Sequence, residues 1–250
     1  MKTKIEATIS AFQKRHFNAF FAETVDAANK LILRMIPAES VVGIGDSTTT
    51  RQMGVIDELR KRGTTVIDGF DHRSIYATAE DWEEHRRLAK AAVTSDVFLT
   101  GTNAVTQDGR LVNVDAVGGR VAGMFWGHPT SIIVVGKNKI VKNLNEAFHR
   151  IRNVTAPNHM RIKAVELGGR RYDTPCVVTG KCTDCRSSDR ACNVFSIIEG
   201  KPWRTTINVI LVNEDLGLGW DESWPPERIA KIKEGYKRFV WCPPPRPSTQ

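Results

Sequence analysis

The feature of the sequence that most limits its fold is an alternation of short apolar segments with segments of helical periodicity. Residues 41–44, 97–100 and 131–135 are apolar runs of strand length. Between and before them, residues 25–35 repeat apolar side chains at helical spacing, and residues 80–92 form a charged helical segment. This alternation predicts an α/β fold with a doubly wound, mostly parallel sheet.

The same pattern predicts a single domain over residues 1–241, because neither an internal repeat nor an interdomain linker interrupts it. Residues 101–115 contain a Gln-Asp-Gly-Arg turn between two short segments and are expected to form a β-hairpin. A helix that starts at Leu144 is expected to end or break at Pro157. The proline-rich tail, residues 242–250, is expected to be extended and mobile.

The charge of the chain favours anionic partners. Its net charge is +8 and its pI is about 9.4, but lysine and arginine are mixed with acidic residues and form no basic arm. This distribution indicates a small anionic metabolite rather than nucleic acid as the partner. The sequence has no pattern of a signal peptide or of a membrane span, so we expect a cytoplasmic protein with no membrane association.

A cysteine-rich loop, residues 174–193, holds four of the five cysteines: Cys176, Cys182, Cys185 and Cys192. In a cytoplasmic protein, clustered thiols are more often metal ligands or redox groups than structural disulfides. One Cys-x-x-Cys pair with two outlying cysteines suits an iron–sulfur cluster, of the 4Fe–4S type, better than zinc. Structural zinc and unliganded or redox-active thiols stay as alternatives. Cys242 is expected to be an inert thiol.

Two glycine loops follow predicted strands, at the edge where doubly wound sheets bind ligands. In the first, residues 43–51, glycine backbone and the hydroxyls of a helix start can approach an anion. Asp46 within it would repel a phosphate unless it caps the helix or meets a sugar hydroxyl. The second loop, residues 101–115, adds a polar rim. The alternative is that both loops hold only turn and cap residues.

With these motifs in view, the sequence resembles the LUD family, named for lactate utilisation, and within it the branch that carries its own cysteines. The matching segments span most of residues 24–212. They are VGIGDSTT at 42–49, TGTNAVTQDGRLVNVD at 100–115, VVGKNKIV at 134–141, IRN at 151–153 with AP at 156–157, TPC at 174–176, GKC at 180–182 and CRSSDRAC at 185–192. The resemblance implies the Rossmann-like fold shared by ribose-phosphate isomerase, glucosamine-phosphate deaminase, coenzyme A transferases and folate cyclo-ligases.

The resemblance also implies a small anionic ligand at the two glycine loops. The expected ligand-binding residues are Gly43, Gly45, Ser47, Thr48, Thr49, Arg51, Gly101, Thr102, Asn103, Asn113 and Lys139. Where relatives often have Gly-Gly-Ser, this chain has Gly45-Asp46-Ser47. That difference makes Asp46, together with Asp115, a candidate acid–base group.

Three functions fit these features. The first is an iron–sulfur protein of redox or small organic-acid metabolism, an oxidoreductase or a subunit of one, because the family's members in lactate utilisation work beside iron–sulfur partner proteins. The second is a non-redox isomerase, hydrolase or transferase in which zinc or a cluster only pins the cysteine-rich loop. The third is a non-catalytic ligand-sensing or scaffold subunit. A homo-oligomer is compatible with all three.

Overall fold

The computed structural model describes residues 2–74, 78–168 and 172–242, so the predicted tail lies outside it except for Cys242. The helices are α1 (Lys2–Lys14), α2 (Val25–Met35), α3 (Thr48–Gln52), α4 (Val55–Lys61), α5 (Ala79–Val93), α6 (Gly119–Gly123), α7 (Leu144–Arg150), α8 (Ala156–Arg161), α9 (Pro175–Thr179) and α10 (Pro226–Phe239). The strands are β1 (Asn18–Ala22), β2 (Val41–Ile44), β3 (Thr65–Ile67), β4 (Val97–Gly101), β5 (Ala104–Thr106), β6 (Leu111–Asp115), β7 (Thr130–Gly136), β8 (Ile140–Val141), β9 (Val194–Ile198) and β10 (Thr206–Val212).

The central sheet has six parallel strands in the order β1-β10-β7-β4-β2-β3. Helices cover both of its faces: Ile132 and Val134 of β7 pack with α2 and α4, whereas Ile133 and Val135 pack with α1. A strand that is buried on both faces has apolar side chains at nearly every position. The predicted α/β class and the mostly parallel sheet are therefore confirmed.

A second sheet has four strands in the order β8-β5-β6-β9. The predicted hairpin forms its centre as the antiparallel pair β5 and β6. Strand β9 was not predicted; it pairs antiparallel with β6, so that Val194 lies opposite Asp115. This pairing fixes the end of the cysteine-rich loop next to the end of the second glycine loop.

The prediction that the helix ends or breaks at Pro157 was wrong. The helix runs on from α7 through a π-helical turn, Ile151–Thr155, into α8 and a second π-helical turn, Ile162–Glu166. The Ala156 N–H donates to the Ile151 carbonyl, one residue farther back than in an α-helix. The wider turn accommodates a proline that has no N–H to donate.

Other local differences are small. After β2 the chain forms two short helices, α3 and α4, separated at Gly54, whose φ is 71°. The cysteine-rich loop contains one short helix, α9. Within the described ranges, every helix is too short or too polar to cross a bilayer.

Candidate functional site

The four clustered cysteines line one cleft, which we call the cysteine cleft. Cys176 lies on α9, and the other three lie in the irregular segment between α9 and β9. Ala156, Pro157 and Met160 of α8 form the opposite, largely apolar wall. Each of the four thiols is partly exposed, and in the described chain none of them is joined in a disulfide. The group that binds in the cleft stays a prediction.

The surroundings of these thiols are partly cationic. Arg190 and Arg152 lie 3.5 Å and 3.2 Å from the Asp184 carboxylate, at the edge of the cleft. The backbone N–H of Asp184 donates to Cys182 Sγ at 3.4 Å. Burial, followed by repulsion from Cys182, raises the pKa of Cys192 to about 11. Without a bound cation this thiol is therefore protonated at neutral pH.

The four cysteines line the same cleft. In the described ranges no three His, Cys, Asp or Glu side chains are grouped closely enough to hold a metal ion. An iron–sulfur cluster and structural zinc therefore both stay predictions for this cleft.

The glycines of the first glycine loop are packed against the interior. A Cβ on Gly43 would lie 2.0 Å from the Ala92 carbonyl oxygen, and one on Gly45 would lie 2.7 Å from Thr100 Oγ1. Ser47 caps α3 by accepting from the Thr50 N–H at 3.5 Å. In this structure these residues serve close packing and capping, and their contact with a ligand stays a prediction.

Arg51 is held between two carboxylates. Its guanidinium lies 3.1 Å from Asp68 and 3.3 Å from Asp46. The side chains of Arg51 and Asp68 are each 2% exposed, whereas that of Asp46 is 30% exposed. Burial raises the pKa of Asp68, and Arg51 opposes that shift. Arg51, predicted as a ligand-binding residue, therefore holds Asp46 in place at the loop.

Lys139 joins the two glycine loops. Its Nζ donates to Thr49 Oγ1 and to the Thr102 carbonyl, each at 2.8 Å. Burial, with added repulsion from Arg120 and Arg150, lowers the pKa of Lys139 to about 7. The two loops therefore meet at an amine that is close to half-protonated at neutral pH.

Arg120, which sequence reasoning missed, organises the second glycine loop. Its guanidinium donates to Asn103 Oδ1 at 2.9 Å and to Asn113 Oδ1 at 3.0 Å, and it lies 3.8 Å from Asp115. Asp115 also accepts from the N–H groups of residues 117 and 118, at 2.9 and 2.8 Å. Three predicted site residues are thus bound into one network. In the sequence, the only feature that could have indicated Arg120 as a site residue is its position directly after Gly118-Gly119.

A tyrosine–histidine pair, also missed, lies beside the first glycine loop. Tyr236 Oη of α10 is 2.6 Å from His159 Nδ1 of α8. Burial, followed by the nearby Asp46 charge, raises the pKa of Tyr236. Burial and then Lys163 hold the pKa of His159 well below its ordinary value. The phenol is therefore protonated and the imidazole neutral at pH 7, and the two share one hydrogen bond whose direction is set by the imidazole tautomer.

Comparison with known proteins gives a family match. The family model described as the LUD domain matches residues 5–212. Comparison with the curated proteins gives no significant match. A crystal structure of a DUF162 family protein from Deinococcus radiodurans is similar, with a TM-score of 0.47 and 14% identity. The similarity covers 85% of this chain and 98% of the other.

Proposed function

The chain belongs to the LUD domain family, and from that premise we propose that it is an iron–sulfur protein with an anionic-metabolite pocket at its glycine loops. It acts in redox or small organic-acid metabolism, as an enzyme or as an enzyme's subunit with redox partner proteins. One observation carries the proposal: four cysteines that are separated along residues 176–192 line a single cleft.

The cysteine cleft has the donor set that an iron–sulfur cluster needs. Cys176, Cys182, Cys185 and Cys192 would hold it, and a bound cluster would supply one-electron transfer. Four thiolates carry excess negative charge, and Arg190 has a buried Nε without a hydrogen-bond partner in the described chain. An N–H donor of this kind stabilises a neighbouring sulfur ligand. The residues of the cleft therefore fit the group.

The anionic ligand is supported by buried cations at the glycine loops. Lys139 is 5% exposed and Arg150 is 6% exposed. The two charged groups that shift the pKa of Lys139, Arg120 and Arg150, are both cations. A bound carboxylate or phosphate would offset the repulsion between them.

Helix α8 borders both sites, so the ligand and the cluster would lie close together. Ala156 and Met160 line the cysteine cleft, while the adjacent His159 contacts Tyr236, next to Asp46. The same turn of helix therefore has residues at the cleft and a residue near the first glycine loop. This closeness favours a role in which the cluster and the metabolite act together.

The test is to purify the protein without oxygen and to measure visible absorption together with iron, sulfide and zinc content. Cys185→Ala removes one expected ligand. Cys242→Ala is the matched control, since Cys242 is a thiol outside the cleft. We expect a brown wild type, a brown Cys242→Ala variant and loss of iron and sulfide in Cys185→Ala. A colourless zinc protein would contradict the proposal.

A non-redox acid–base enzyme is the second candidate, with the metal only holding the cysteine-rich loop. The Tyr236–His159 pair beside Asp46 favours it, because such groups transfer protons. In assays of small organic acids and sugar phosphates without redox partners, Asp46→Asn should then abolish turnover. Cys185→Ala should reduce mainly the stability of the protein. The opposite pattern would favour the iron–sulfur proposal.

A further inference from the structure

The amine of Lys139 lies at the middle of the carboxyl edge of the central sheet. The segments that follow four adjacent strands, β10, β7, β4 and β2, all meet there. They contribute Gly217, Lys139 itself, Thr102 and Thr49. A Cβ on Gly217 would lie 2.7 Å from Lys139 Nζ, so the glycine is needed to leave room for the amine. Ligands of doubly wound sheets bind at this edge.

The hydrogen bonds of Lys139 suit a neutral amine. The Thr102 carbonyl takes one N–H, and the Thr49 hydroxyl can accept a second N–H or donate to the nitrogen. If the Thr49 hydroxyl accepts, the lone pair of the amine is free. Burial and the two neighbouring cations, Arg120 of α6 and Arg150 of α7, oppose protonation. Desolvation and nearby cations are the two ways in which proteins activate a lysine as a nucleophile.

Lys163 provides a contrast within the same chain. It is also buried, at 4% exposed, but its Nζ lies 4.9 Å from the centre of the Trp241 ring. The Lys163 amine therefore lies near an aromatic ring, whereas the amine of Lys139 lies between a hydroxyl and a carbonyl. Burial alone does not distinguish the two lysines, whereas their charged and aromatic neighbours do.

We propose that Lys139 is a nucleophile that forms a Schiff base with a small carbonyl-containing organic acid at the glycine loops. The inference rests on the proposed anionic-metabolite pocket and assigns it a substrate class. Only 5% of the surface of Lys139 is accessible, so the acid must be small. Its carboxylate would be balanced by the cations around the amine.

The step needs no oxidant. The nitrogen lone pair attacks the carbonyl carbon, and the π electrons of the C=O bond move to oxygen. A proton passes from nitrogen to that oxygen and gives a carbinolamine. Loss of the hydroxyl with the second amine proton releases water and leaves a C=N bond. Amine and carbonyl thus yield imine and water.

The test is reductive trapping in the full-length protein. Wild type is incubated with pyruvate and sodium cyanoborohydride at pH 7, and the adduct is located by mass spectrometry of peptides. With a pKa of about 7, half of the Lys139 amines are neutral at that pH. Roughly one in 2,500 is neutral for a lysine of ordinary pKa. We expect labelling at Lys139 to be at least about tenfold faster than at surface lysines.

Two variants are compared with the wild type. Lys139→Met should lose the fast adduct, whereas Lys163→Met should keep it. Labelling spread evenly over surface lysines, or unchanged in Lys139→Met, would overturn the inference. Mass spectrometry of the wild-type peptides shows whether Lys139 carries the adduct, even if the Lys139→Met variant does not fold.

Calorimetric titration with L-lactate, which has no carbonyl to trap, separates this inference from the proposed function. If L-lactate binds but pyruvate gives no adduct at Lys139, the Schiff base alone is refuted. If neither acid binds, the anionic-metabolite pocket and the inference built on it both fail. Binding of both acids with an adduct at Lys139 supports both.

Discussion

Replacing Lys139 with Met removes a buried amine and keeps a side chain of similar length. The pKa of Lys139 is about 7 in the folded protein and about 10.4 in an unfolded chain. Between these values the unfolded chain holds a proton that the folded chain has lost, so the stability of the wild type rises with pH. At about 1.36 kcal/mol per unit, this rise is about 5 kcal/mol in total and about 2 kcal/mol between pH 7 and pH 9.

The Lys139→Met variant has no amine to titrate at this position. The part of the increase in stability with pH that comes from Lys139 is therefore absent in the variant. Below pH 7 it escapes about 5 kcal/mol of charge burial but leaves the Thr102 carbonyl without its donor, which costs about 1–3 kcal/mol. We expect Lys139→Met to be more stable than the wild type by roughly 2–4 kcal/mol at pH 6. A gain in stability from removing a site residue is the usual sign of a functional group held under strain.

Urea unfolding followed by tryptophan fluorescence measures this difference at pH 6, 7, 8 and 9. Subtracting the variant from the wild type at each pH cancels the titration of all other groups. Lys137→Met is the control, because Lys137 lies two positions away and is only half-buried. A difference between wild type and Lys139→Met that stays constant from pH 7 to pH 9 would refute the reasoning.

Four further outcomes are expected. Arg51→Met should destabilise the fold by about 3 kcal/mol in urea unfolding, because it leaves the buried Asp68 carboxylate without its closest cation. Tyr236→Phe should cost about 1–2 kcal/mol, since His159 Nδ1 loses its hydrogen-bond partner. In the wild type, ¹⁵N NMR should find His159 still neutral at pH 6.5, because burial holds its pKa well below the ordinary value. The unfolded chain binds that proton at a higher pH than the folded chain does, so the free energy of unfolding decreases as the pH falls below about 6.5. Thr78→Ala should cost about 1 kcal/mol in thermal unfolding by removing the cap of α5.

The following results would contradict these predictions. Arg60→Met, whose side chain is 35% exposed and 3.8 Å from Asp68, should cost less than about 1 kcal/mol. Equal losses from Arg51→Met and Arg60→Met would mean that burial of the pair is unimportant. A His159 ring that is protonated at pH 6.5 would contradict the effect of burial on its pKa. An unchanged melting temperature in Thr78→Ala would contradict the cap.

The strands of the central sheet could be predicted because their environment is uniform. Residues 41–44, 97–100 and 131–135 are buried on both faces, and such strands need apolar side chains at every position. Strand β9 was missed because its residues are mostly half-exposed and it exists only by pairing with β6. The continuation through Pro157 was missed because a π-helical turn has no local sequence signal as strong as proline itself.

The residues of the candidate site also divide into those that the sequence could predict and those that it could not. The cysteines could be predicted because they are close in sequence and share one chemistry. Tyr236 and His159 are 77 positions apart, and only the packing of α10 on α8 brings them together. Arg120 takes its role from partners on β6 and on the loop after β4. Local periodicity contains no information on contacts of this kind.

The strand order of the central sheet also sets the order in which the protein can be completed during synthesis. Strand β1 pairs with β10 alone, and its residue Asn18 lies opposite Asn208, 190 positions later. At ribosomal rates of about 5–20 residues per second, β1 waits roughly 10–40 s for its partner. The cysteine-rich loop is synthesised within that interval. In a nascent chain the four thiols and the phenylalanines of β1 are therefore accessible before the sheet is closed.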